Sequence, residues 1–95
     1  MEKVHYLLQE EFQGDYAAGM RECLLSSLKK FSQGVCLDFQ QVKAVDSVGL
    51  GVLVTIQKHA QLQGREFMLQ GMSEEIYSLF RRTRLCEAFS IQKAG

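Results

Sequence analysis

Val35-Cys36-Leu37-Asp38-Phe39 is followed, seven residues later, by Asp46-Ser47-Val48-Gly49-Leu50-Gly51. The first segment is a short apolar run with Asp38 near its end, a pattern typical of a buried strand. The second segment opens a long stretch of apolar residues at helical spacing. Together they predict a strand, a loop and a helix. A serine at such a helix start lies beside free backbone N–H groups, where an anion is readily held.

The same two kinds of element alternate on both sides of this segment. The predicted strands cover residues 4–9, 35–39, 66–70 and 89–92, and the predicted helices begin at the caps Asp15, Ser47 and Ser73. Gly64 is predicted to end the second helix and Gly71 to close the third strand. The order β-α-β-α-β-α-β predicts an α/β fold in one domain spanning residues 1–95. We expect a mixed, mostly parallel four-stranded sheet with three main helices.

The composition is that of a globular domain and narrows the possible partners. Of the 95 residues, 46% are hydrophobic, and eleven basic residues balance eleven acidic ones. The chain therefore has no net positive charge that would attract nucleic acid or an anionic membrane. The sequence has no apolar run long enough to span a bilayer and no apolar signal-peptide core at its start, so we expect a cytoplasmic protein without direct membrane insertion.

Neither a metal site nor a cofactor site is predicted. Cys23, Cys36 and Cys86 are widely spaced among apolar neighbours and are expected to be buried free thiols. His5 and His59 are isolated, and nothing has metal-ligand spacing. The chain also lacks G-x-G-x-x-G and Walker motifs, so any nucleotide used on Ser47 must be bound by another protein.

Ser47 has two interpretations from the local pattern. It is either a helix cap, worth roughly 1 kcal/mol, or a phosphorylation site that gains about −1.5 to −2 charge. Asp46 is either an alternative cap or a tether that holds the loop through backbone hydrogen bonds. If Ser47 is phosphorylated, Asp46 instead positions its hydroxyl or repels the phosphate once it is added. His59 lies twelve residues further along the same helix, or roughly 18 Å away by the helical rise. His59 is therefore too far away to be the base for Ser47. Distance does not exclude His5, but a lone histidine is weak evidence for catalysis, so we do not expect an enzyme. A hydrolase would have to be demonstrated by labelling Ser47 with a serine-reactive phosphonate.

Three segments of the chain resemble the STAS domain family, the anti-sigma factor antagonists of bacteria. The first runs from Leu37-Asp38-Phe39 into Val42–Leu53 and includes the D-S-x-G-L-G helix start. The second is Gly64–Gly71, and the third is Ser73–Leu85. Together they cover roughly the last two-thirds of the sequence.

The resemblance implies a switch at Ser47. In that family the serine after the aspartate is phosphorylated by an anti-sigma factor that is also a serine kinase. The phosphate breaks the complex, and a PP2C-type phosphatase restores it. The implied partner-binding surface comprises Gly14, Asp15, Gln40, Gln41, Asp46, Ser47, Val48 and Gly49.

The chain departs from the family pattern near its N-terminus. The family usually has two strands there, ending in a G-E-[LF]-D turn, whereas this sequence predicts one strand, and Gln13-Gly14-Asp15 keeps only part of that turn. Val48 also stands where many relatives carry a second hydroxyl residue. The alternative function is a STAS subunit of a transporter or sensory complex that never cycles through phosphorylation.

Overall fold

The structure, a computed structural model, describes residues 3–93. Its elements are β1 (Val4–Leu7), β2 (Glu11–Phe12), α1 (Gly14–Lys30), β3 (Val35–Asp38), β4 (Ala44–Val45), α2 (Ser47–Gln63), β5 (Phe67–Met72), α3 (Glu74–Arg82) and β6 (Ser90–Lys93). The α/β class, the three main helices and the four main strands are confirmed. Among the described residues no helix combines the length and the apolar character that crossing a membrane requires.

The main sheet has the strand order β1-β3-β5-β6, and each of its pairings is parallel. Each strand is therefore joined to its neighbour through one helix. Because such crossovers are right-handed, an order that advances in one direction places α1, α2 and α3 on the same face of the sheet. Val35, Leu37, Phe67 and Leu69 face the helices in the buried core. By the same rule, none of the three helices described in residues 3–93 lies on the opposite face.

Two short strands near the edge of this sheet were not predicted. β2 and β4 pair in parallel, with Glu11 opposite Ala44 and Phe12 opposite Val45. Two strands therefore precede α1, as in the family pattern, and β1 ends at Leu7 rather than at residue 9. A two-residue strand is too short to show the alternation by which strands are recognised. Its effect is to bring the chain before α1 against the chain before α2.

The helices pack through the apolar stripes that the sequence predicts. On α1, Ala17, Leu24 and Leu28 are buried, and on α2 the buried positions include Leu53 and Ile56. α3 is held by a row of edge-to-face aromatic contacts. The ring centroids lie 6.3 Å apart for Phe39–Phe80, 5.7 Å for Phe80–Phe89 and 6.3 Å for Phe67–Phe89.

Several predicted boundaries are confirmed and two are wrong. Gly64 ends α2 in the left-handed conformation (φ 68°), and the Ser73 side chain caps α3 by accepting from the Ile76 N–H. Asp15 does not cap α1, because the helix begins one residue earlier and Asp15 lies in its first turn. Gly71 does not close its strand. Its positive φ of 72° accompanies a register shift between β5 and β6, and β5 continues to Met72.

The three thiols differ in exposure. All are free, but only Cys36 is buried, whereas Cys86 is half-buried and Cys23 is exposed. The expectation of three buried thiols is therefore wrong for Cys23 and Cys86. Cys23 has apolar neighbours in sequence, yet successive helical residues point in different directions, so those neighbours do not cover it.

Candidate functional site

The start of α2 is capped by Asp46 and not by Ser47. One carboxylate oxygen of Asp46, Oδ1, accepts from the backbone N–H of Gly49 at 2.8 Å. The other oxygen, Oδ2, accepts from the backbone N–H of Gly14 at 3.1 Å. Asp46 therefore satisfies an N–H at the beginning of α2 and joins the start of α1 to it. Both proposed structural roles of Asp46, cap and loop tether, are confirmed.

Ser47 is the first residue of α2, and its side chain is exposed. The alternative in which Ser47 is the helix cap is wrong, because its neighbour performs that role. The following residue, Val48, is 42% exposed, which is unusual for a large hydrophobic residue of this chain. Ser47 and Val48 thus form an exposed pair of residues at the amino end of the helix.

Gly49 is present because the chain approaches too closely for a side chain. A methyl group added to it would lie 2.3 Å from the carbonyl oxygen of Phe12 and 3.0 Å from a methyl carbon of Val45. The first turn of α2 therefore lies directly on the β2–β4 pair. Gly49 is buried, so it shapes the site without forming part of its exposed surface.

An acidic cleft at the β2–α1 turn lies beside this exposed pair. The cleft has a volume of about 720 Å³ and is lined by Gln9, Glu10, Glu11, Gln13, Gly14, Tyr16 and Asp46. The Tyr16 hydroxyl accepts from the Gln9 N–H at 3.1 Å, and the Tyr16 ring packs edge-on against Phe12. Glu10 and Glu11 were not among the predicted site residues. Two adjacent acids immediately before a core phenylalanine were the available signal.

The other predicted surface residues lie at the same edge of the sheet. Gln40 and Gln41 are exposed in the turn after β3. The Gln40 N–H donates to Asp38 Oδ1 at 2.9 Å, so Asp38 fixes this turn. Asp15 is exposed in the first turn of α1. The carboxyl ends of parallel strands share one edge, and the structure therefore places these residues on the side of the molecule that carries Ser47.

Neither histidine is placed to act on Ser47. His59 Nδ1 donates to the Thr55 carbonyl oxygen of its own helix at 3.0 Å. His5 lies on β1 opposite Cys36 in register, on the sheet face away from the helices. Across residues 3–93 no group of three His, Cys, Asp or Glu side chains is arranged to hold a metal ion.

A family model described as the STAS domain matches residues 4–94. The chain belongs to the STAS domain family. The predicted resemblance is thereby confirmed, and it extends over the N-terminal segment in which the sequence departs from the family pattern.

Solved structures share this STAS fold at low sequence identity. A Thermotoga maritima protein classed as an anti-sigma factor antagonist has a crystal structure with a TM-score of 0.75 and 22% identity, over 97% of this chain and 74% of that one. The NMR structure of the same protein gives 0.83 and 24%, over 96% and 74%. A sulfate transporter family protein from Wolinella succinogenes gives 0.72 and 19%, over 95% and 75%. These similarities establish a shared fold.

Proposed function

We propose that this STAS domain is a regulatory binding protein of the anti-sigma factor antagonist type. Its affinity for an anti-sigma factor, itself a serine kinase, is set by phosphorylation of Ser47, and a PP2C-type phosphatase resets the switch. One observation carries the proposal: the Ser47 hydroxyl is exposed at the start of α2 and is not used as the cap. A kinase therefore reaches it without breaking the helix.

The surroundings of Ser47 suit a charge-sensitive contact. Asp46 is held by the backbone at both carboxylate oxygens, so it cannot swing away from a new phosphate. A phosphoserine adds about −1.5 to −2 charge next to this fixed carboxylate. A partner packed on Val48 and Ser47 would then have to desolvate two adjacent anions, which is strongly unfavourable unless each is paired.

The proposed contact surface is the set named from the resemblance, with one distinction. Gly14, Asp15, Gln40, Gln41, Asp46, Ser47 and Val48 contribute surface, whereas Gly49 acts by letting α2 approach Phe12. The similarity in fold to a Thermotoga maritima protein classed as an anti-sigma factor antagonist supports this proposal.

The test is incubation with the cognate kinase and ATP, followed by mapping of the phosphate. We expect one phosphate on Ser47, its removal by a PP2C-type phosphatase, and loss of anti-sigma factor binding in Ser47→Asp. Ser26→Ala is a matched control, because Ser26 is another exposed serine on a helix and lies outside the proposed surface. A phosphate that maps to another residue, or unchanged binding by Ser47→Asp, contradicts the proposal.

The second candidate is a STAS subunit of a transporter or sensory complex that does not cycle. The similarity in fold to a sulfate transporter family protein from Wolinella succinogenes favours it. Stoichiometric co-purification with membrane or scaffold proteins, with no effect of Ser47→Ala on assembly, would select this candidate over the first.

A further inference from the structure

The fold separates charges that balance in the sequence. All strands of the main sheet run in the same direction, and each connecting helix returns antiparallel to them. Helix starts therefore lie at the carboxyl edge of the sheet, and helix ends lie at the amino edge. The position of a charged residue within its helix, strand or turn therefore tells at which edge of the sheet it lies. Chains of zero net charge can still carry opposite fields at their two ends.

The carboxyl edge is acidic. Its exposed acids belong to the β1–β2 turn, to β2 and to the first turns of α1 and α3, and we call them the acidic pole: Glu10, Glu11, Asp15, Glu74 and Glu75. The cap Asp46 adds to this pole from the start of α2. Lys43, exposed before β4, and Lys93, the last residue of β6, are residues of opposite sign at this edge.

The amino edge is basic. Its exposed cations belong to the last turn of α1 and to the end of α3, and we call them the basic pole: Lys29, Lys30, Arg81, Arg82 and Arg84. Among residues 3–93, Glu87 is an exposed charge of opposite sign on this side. Lys3 and Glu66 also lie here but form an ion pair with each other, so they leave the sign of the pole unchanged.

The most exposed large hydrophobic side chains lie at the same two poles. Leu62 is 86% exposed in the last turn of α2, at the basic pole. Leu7, at the end of β1, is 51% exposed, and Val48, at the start of α2, is 42% exposed, both at the acidic pole. Each pole therefore combines charges of one sign with at least one exposed apolar side chain.

The basic pole also contains a residue held at a conformational cost. Arg84 has a φ of 63°, in the left-handed region where helix ends usually place glycine. The turn is fixed by the Leu85 N–H, which donates to the Phe80 carbonyl oxygen at 2.8 Å. Because glycine would be less strained at this position, the presence of an arginine indicates that its side chain has a function, such as contacting a partner.

We propose that copies of this chain associate head to tail, with the basic pole of one copy docked on the acidic pole of the next. A second copy is the partner whose complementary charges and apolar side chains are both present in this structure. The contact joins two different surfaces, so a pair of docked copies still has a free acidic pole at one end and a free basic pole at the other, and association continues as the concentration rises. Docking covers Ser47 and Val48. Self-association therefore competes with any partner at that surface, whether or not Ser47 is phosphorylated.

The test is sedimentation velocity of the whole chain from about 10 µM to about 1 mM, at about 20 mM and about 300 mM salt. At low salt we expect the sedimentation coefficient to rise with concentration. At high salt the association constant should fall at least about tenfold, because exposed charges are screened.

Charge reversal identifies the two surfaces. Glu10→Lys/Glu11→Lys and Arg82→Glu/Arg84→Glu should each be monomeric alone, and their equimolar mixture should associate, because it restores one acidic and one basic pole. Lys29→Glu/Lys30→Glu is a second basic-pole variant whose substitutions avoid the strained turn. Arg21→Glu/Lys58→Glu is the matched control, since it has the same net charge as the basic-pole variants but lies outside both poles, and it should associate like the unmodified chain.

Five outcomes would overturn the proposal. The chain stays monomeric at low salt through the whole range, or its association is insensitive to salt. Either basic-pole variant associates by itself, or the mixture of reversed variants fails to associate. A monomer that instead sediments with phosphatidylserine vesicles would assign the basic pole to an anionic membrane, and would likewise overturn it.

Discussion

The carboxylate of Asp46 accepts a hydrogen bond from the backbone N–H of Gly14, 3.1 Å away and 32 residues earlier in the chain. Because its other oxygen caps α2 through Gly49, one side chain joins the starts of two helices. We expect Asp46→Ala to lower the free energy of unfolding by about 2 kcal/mol, the sum of a cap and a further charge-assisted hydrogen bond at a partly exposed site. Urea denaturation measures it.

The control for this prediction is Asp15→Ala. Asp15 is exposed in the first turn of α1 and favours only the helix dipole, so its loss should cost about 0.5 kcal/mol. Equal losses in the two variants would mean that the double contact of Asp46 contributes nothing to stability.

Gly49 and Gly51 are two residues apart near the start of α2, one buried and the other exposed, and they should respond to alanine in opposite directions. A methyl group at Gly49 meets the Phe12 carbonyl oxygen at 2.3 Å, so Gly49→Ala should destabilise by about 1–3 kcal/mol as the helix is forced off β2. Gly51 is exposed with nothing within 4 Å, so Gly51→Ala should stabilise by about 0.5–1 kcal/mol. Thermal or urea unfolding of both variants decides the matter, and a gain from Gly49→Ala would be incompatible with the packing described.

The two serines at helix starts should differ in their effect on stability. Ser73 accepts from the Ile76 N–H, so Ser73→Ala should cost about 1 kcal/mol. Ser47→Ala should change stability by less than about 0.5 kcal/mol, because Asp46 is the cap. The comparison is made by chemical denaturation. A loss on Ser47→Ala as large as that on Ser73→Ala would return Ser47 to the role of cap.

Most of the fold could be predicted from the sequence, because α1, α2 and β3 are long or apolar enough to show their periods. β2 and β4 could not, since two residues carry no period. The pattern also could not rank Asp46 against Ser47 as the cap, because adjacent residues of equal capping ability differ only in backbone direction. The charge separation was hidden for a further reason. A balanced composition says nothing of where charges lie until strand direction assigns each residue to an edge.

Arg84 should be the site of a stabilising substitution. Its φ of 63° costs an L-residue with a side chain about 1 kcal/mol relative to glycine, so Arg84→Gly should raise the free energy of unfolding by about that amount. Arg82→Gly, at the end of α3, serves as the control and should lower it. Differential scanning calorimetry compares them. A loss of stability in Arg84→Gly would show that its side chain contributes more than its conformation costs.

Cys36 should make the protein less stable in alkali. Burial raises the pKa of its thiol above the ordinary value. The folded state therefore keeps the proton when the unfolded state has already lost it, and the free energy of unfolding should fall as the pH rises above about 8.5. Urea unfolding of the unmodified chain and of Cys36→Ala between about pH 8 and 9.5 measures this slope, which should be smaller in the variant. An identical slope in Cys36→Ala would contradict the assignment.

The outer strands of the main sheet, β1 and β6, are four residues long each. In an edge strand, only alternate residues direct their backbone N–H and C=O groups away from the sheet. Each edge of this sheet therefore offers an incoming chain the main-chain hydrogen-bonding groups of about two residues. A stray extended peptide gains little from so short a template. Edge-to-edge pairing of sheets, which can lead from an exposed edge strand to fibrils, is therefore limited by the short length of these strands, in a chain that has no proline.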